Sequence, residues 1–144
     1  MAYLRGRGQN GLRRRTVAIG IDALKSLTTG TDNVVIGSYN ADALTTGVQN
    51  VAIGCNALGA STTGCLNTAI GAVAMGATDV TGINNIAIGT TSMDALTSGI
   101  CNVAIGTNAL GASTTGCQNI AIGLEAMGNT DTTGPFPWIV ANFG

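Results

Sequence analysis

The residues that could do acid–base, nucleophilic or metal chemistry are few and scattered. The carboxylates are Asp22, Asp32, Asp42, Asp79, Asp94, Glu125 and Asp131, each standing alone, and there is no His. Without His the chain lacks the side chain that ordinarily titrates near neutrality, and no carboxylate has a neighbour to share general acid–base work with. The four cysteines, Cys55, Cys65, Cys101 and Cys117, form no C-x-x-C pair. We therefore expect no enzymatic activity, no catalytic residue, no metal site and no cofactor. The remaining charge is concentrated at the start: Arg5, Arg7, Arg13, Arg14 and Arg15 are five of the 6 Lys and Arg, and Lys25 is the other. That grouping points to a contact with an acidic surface.

A repeat positions everything else. Its units begin at Val17, Val34, Val51, Thr68, Ile86, Val103 and Ile120, a spacing of 17 residues with one step of 18. The third position is always Ile (Ile19, Ile36, Ile53, Ile70, Ile88, Ile105, Ile122) and the fourth always Gly. Position eight is Leu or Met except in the second unit, where Ala41 stands there and Leu44 follows. A Thr-rich step and a second Gly end each unit, and Asn precedes six of the restarts: Asn33, Asn50, Asn67, Asn85, Asn102 and Asn119. A slower rhythm of 52 residues relates units two to four with units five to seven.

A fixed short period means stacked, self-similar units. Val-Ala-Ile-Gly alternates a large and a small side chain, as a strand does between two environments. The following Ala-Leu or Ala-Met reads as a second short strand, and Thr-Thr-Gly-x-x-Asn as the return turn. Two glycines per unit argue against helix, each costing about 1 kcal/mol relative to Ala. The fold class expected is all-β: a parallel β-solenoid or β-roll of seven coils over residues 16–134, with Ile, Val, Leu, Met and Ala inside. One coil buries too little to offset the entropy of ordering it, so stability must come from stacking. The thin core leads us to expect further burial between copies, most simply a homotrimer with the Ile series as core or trimer interface.

Columns in such a stack differ by 17 or 18 residues, and no cysteine pair does, so the thiols are expected to be free. Asp42 and Asp94, like Asp79 and Asp131, fall three coils or about 14 Å apart, too far to share a metal. The Thr pairs, such as Thr45-Thr46 and Thr62-Thr63, adjoin a glycine turn, and only one of each could face a flat surface. Ladder hydrogen bonding accounts for them better than ice binding.

Two tails flank the repeat. Residues 1–15 form the basic arm, a candidate docking segment through Arg5, Arg7, Arg13, Arg14 and Arg15. With only Tyr3 for stacking, nucleic acid is not the expected partner. Residues 135–144 carry Phe136, Trp138 and Phe143, three of the five aromatic residues, and read as an aromatic cap or a partner anchor. Pro135 and Pro137 are expected to stop the ladder. No apolar run follows the N-terminal charges and none approaches the ~20 residues of a membrane span. Neither a secretory leader nor a membrane partner is expected.

The motif Asn50-Val51-Ala52-Ile53-Gly54-Cys55-Asn56-Ala57-Leu58 resembles the head repeats of YadA-like trimeric adhesins, also found in phage fibre and virion surface proteins. The resemblance covers residues 16–134. It implies a left-handed parallel β-roll, association into a trimer through apolar strand residues, and a turn ladder of the Asn series. The unit here is longer than the family's usual repeat, and the coiled-coil stalk and membrane anchor of such adhesins have no counterpart. The expectation is therefore a trimeric structural protein of a virus particle: a capsid decoration (cement) or head-fibre protein, assembled in the host cytoplasm. Its partners would be itself and the major capsid protein or another virion protein. The alternative is a receptor-binding tail-fibre module for host surface glycans.

Overall fold

The computed structural model describes residues 15–132 and 139–142. It contains eight strands of three residues: β1 Val17–Ile19, β2 Val34–Ile36, β3 Val51–Ile53, β4 Thr68–Ile70, β5 Ile86–Ile88, β6 Val103–Ile105, β7 Ile120–Ile122 and β8 Ile139–Ala141. They form one parallel sheet in chain order. Each residue pairs with its counterpart one unit on: Val17 with Val34, Thr68 with Ile86 across the longer step, Ile120 with Ile139. The chain is thus an all-β parallel solenoid of about seven turns, and no described residue is helical. At about 4.8 Å per rung the stack is roughly 34 Å tall.

Three expectations need correction. First, the Ile series is not the core. The middle strand residue points inward: Ala52, Ala69, Ala87 and Ala104 are fully buried, while Ile36, Ile88, Ile105 and Ile122 are 36–41% exposed. The coil is too narrow for two large side chains meeting across it. Leu58, Met75, Met93 and Leu110 reach over from the opposite wall and leave room only for Ala. In the second coil Leu44 fills the interior where Ala41 stands at position eight.

Second, Ala-Leu and Ala-Met are not strands. Positions six and eight lie in the left-handed region, with φ of 57° at Asn56 and 52° at Leu58, and so does the residue before each Asn of the repeat, such as Gln49 at 57°. This conformation costs L-residues about 1–2 kcal/mol each. Hydrogen bonding between coils sustains it: Asn56, Val73 and Asn108 donate their N–H groups to the carbonyls of Ser38, Cys55 and Thr90 at 2.9–3.0 Å. Val73 is β-branched and holds φ 59° in a column where Asn56 and Asn108 also sit. Val73→Asn should therefore raise stability by about 1 kcal/mol, read as a higher thermal midpoint.

Third, the ladder does not stop at the prolines. Ile139–Ala141, inside the segment expected to break the pattern, pairs with β7 as another rung. At the other end Thr16 is buried, and its hydroxyl accepts from the Asn33 N–H at 3.4 Å.

The Asn series is interior, and its amides bond from coil to coil. Asn50 donates its backbone N–H and its side-chain Nδ2 to Asn33 Oδ1 at 2.9 and 3.1 Å, and Nδ2 also to the Gly64 carbonyl at 2.7 Å. The pattern recurs up to Asn119, whose Nδ2 donates to the Thr132 hydroxyl at 3.0 Å. Six buried amides make a continuous polar spine between two threonines. Buried polar groups are tolerable only when bonded in this way.

Candidate interaction surface

The outer face of the sheet is built from strand positions one and three. Because side chains alternate along a strand, the inward residue, Ala on six of the rungs β1 to β7 and Val35 on β2, turns both flanking residues outward. One column is Val17, Val34, Val51, Thr68, Ile86, Val103 and Ile120; the other is the seven-membered Ile series. Thr68 is the one polar side chain in either column and neither carries a charge. Beyond the buried Asn, Ile83 and Ile100 add a third apolar column, 40% and 39% exposed. A surface of this length, uncharged and with large half-exposed side chains at regular spacing, is unusual for a soluble monomer's exterior.

The chemistry-bearing residues do not converge. Among the described residues no group of three or more His, Cys, Asp or Glu side chains could hold a metal ion. Two of the carboxylates bond to the backbone of the preceding coil. Asp79 accepts from the Thr62 N–H at 2.8 Å and from its hydroxyl at 2.9 Å, and Asp131 accepts from the Thr114 N–H at 3.3 Å. Each ends a hydroxyl ladder: Thr28 and Thr45 donate to the carbonyls of Thr45 and Thr62 at 3.0 Å, and Thr97 to that of Thr114 at 2.9 Å. Burial raises the Asp94 carboxyl above its usual value. The four thiols are free, Cys55 and Cys101 being exposed.

Of the basic docking residues, Arg5, Arg7, Arg13 and Arg14 lie outside the described residues, as do Phe136, Trp138 and Phe143. Arg15 is described, and it is engaged locally: its Nε donates to Asp32 Oδ1 at 2.7 Å, one coil on. That hydrogen bond holds the Asp32 carboxyl below its usual range. A depressed carboxyl contributes stability above the unfolded value of 3.8, lost as pH falls through the folded one. Arg15→Ala should return the Asp32 value toward 3.8, read by carboxyl NMR titration, with little change in neutral-pH stability because the pair is exposed.

Sequence reasoning singled out the Ile series but missed the columns beside it. The signal for the first column was present in its near-exclusive Val and Ile; the third, which mixes Thr31, Val48, Cys65, Ile83, Ile100 and Cys117, carries a weaker one.

Fold and surface together define a class of architecture, a parallel β-solenoid with one continuous apolar flank. Comparison of the chain with protein-family models, curated protein sequences and solved structures finds no match in any of the three. Among the described residues no helix is long and apolar enough to cross a membrane.

Proposed function

We propose that this protein is a structural component of a virus particle: a homotrimer of left-handed β-rolls that decorates the capsid surface, as a cement or head-fibre protein, and stabilises it. The observation that carries this reading is the uncharged two-column ladder running along every rung from β1 to β7. Three protomers around an axis parallel to the stack would cover it in a closed, symmetric way. What remains outside is then the Thr-rich wall. The repeat's resemblance to trimeric head repeats supports the same reading. So does the division of charge, with five Arg in residues 1–15 against a mostly acidic remainder. That arm would fasten the trimer to carboxylates of a capsid neighbour.

Sedimentation tests the association. The wild type should run at three times its 14.3 kDa mass, and Ile88→Asp, in the middle of the ladder, should run as a monomer. A wild-type monomer would overturn the reading. Particles assembled with and without the protein then separate two roles. Earlier heat rupture of bare shells supports decoration; unchanged shells with lost host adsorption would assign a receptor-binding module for surface glycans instead.

A further inference from the structure

We propose that the outer edge of β8 is a strand-addition site for a second copy of this protein, which places the outer edge of its own β1 there, so that molecules join end to end. The proposal stands apart from the lateral association above, since it uses the ends of the stack and not its apolar flank. Its first support is the bonding parity of the ladder. Val17 donates its N–H to the Asn33 carbonyl at 2.8 Å and the Ile19 carbonyl accepts from the Gly37 N–H at 2.8 Å. Strand positions one and three thus face the next rung, and position two faces the rung before. At the far end the Asn142 N–H donates to the Ile122 carbonyl at 2.8 Å, so β8 keeps the same parity. Ile139 and Ala141 then direct their N–H and C=O groups away from β7. On β1 the complementary set, the Thr16 carbonyl and both backbone groups of Ala18, is directed away from β2. Set together, Ile139 would donate to Thr16 and accept from Ala18, and Ala141 would donate to Ala18.

The second support is an interior left open. Val140 continues the inward column, in which Ala104 and Ala121 are fully buried, yet it is 36% exposed, and Ile139 is 75% exposed. A further rung would cover both, and β1 carries the same large-small-large pattern of side chains. The third is charge. Among the described residues Arg15 and Lys25 at the first coil are balanced by Asp32 and Asp22, while the last full coil carries Glu125 and Asp131. Two last coils therefore repel each other, and a last coil meeting a first coil does not. An edge strand that pairs with an end unlike itself gives an open chain rather than a closed ring. Asn142 stands where the other rungs have Gly, so the junction is confined to the three strand residues and is reversible.

Sedimentation over a micromolar to millimolar series tests this. The wild type should show species heavier than the base oligomer that grow with concentration. Ala141→Pro removes an N–H that points away from β7 and has no bond among the described residues, so it should unfold at the wild-type temperature while weakening self-association by about tenfold or more. A wild type that stays one species across the series would overturn the proposal, as would an Ala141→Pro variant that associates like the wild type. Both results leave the mass of the base oligomer, and with it the lateral reading, to be judged separately.

Discussion

Asn85→Ala should destabilise the protein by about 3–6 kcal/mol, since it leaves two or three buried groups unbonded at about 1–3 kcal/mol each. Asn85 Nδ2 donates to the Gly99 carbonyl at 2.8 Å, and its Oδ1 accepts from the Asn102 N–H at 3.0 Å and Asn102 Nδ2 at 2.9 Å. Alanine supplies neither donor nor acceptor, and the site is fully buried, so water cannot easily take over. The loss would be a large part of a typical domain's stability of about 5–15 kcal/mol. Denaturant unfolding checks it, with exposed Thr107→Ala as a control expected to fall within about 0.5 kcal/mol of wild type. A wild-type midpoint for Asn85→Ala would mean that the spine is decorative.

Gly71→Ala should cost about 3–5 kcal/mol, from a strained backbone region and an overpacked contact acting together. Gly71 has φ +137°, and a Cβ there would stand 2.5 Å from the Gly89 carbonyl oxygen and 2.6 Å from its carbon. These are backbone atoms of the next rung and cannot move aside without parting the ladder. Gly59→Ala is the contrast. Its φ is not in the positive region, and the nearest atom to an added Cβ is the tip of the Asn56 side chain, which can turn away. Gly59→Ala should therefore be distinctly milder, and thermal unfolding of both variants decides the point.

How much of this was legible in the residues can be argued column by column. The 17-residue beat predicts parallel rungs in register, because only stacking places like on like, and β1 to β7 fall at its restarts. The fourth-position Gly predicts a bend; that the column also excludes a Cβ is known only once the next carbonyl is placed. Which face of Val-Ala-Ile turns inward was left open. Hydrophobicity favours Ile inside, but the width of the coil decides, and that width is a property of the closed turn. The resemblance implies a turn ladder of the Asn series but not its burial, since a lone Asn is most often bonded to its own loop. Its interior place depends on a neighbour 17 residues away at both ends of the amide. The left-handed columns left no trace in residue type: Asp22, Tyr39, Asn56, Val73, Thr91, Asn108 and Glu125 share one. Their cost is met by bonds between coils rather than by local preference. The candidate surface was half legible, as an Ile series whose role was left between core and interface. The docking arm and the aromatic segment were legible only as charge and composition.

The register of the ladder makes length an adjustable quantity. Removing residues 34–85 would join Asn33 to Ile86, bring β1 beside β5, and return every inward Ala and every spine amide to an equivalent neighbour. The molecule would lose three storeys, about 14 Å, and keep its cross-section. Such a protein can serve as a ruler, its reach set by copy number while its girth and its flank chemistry stay constant.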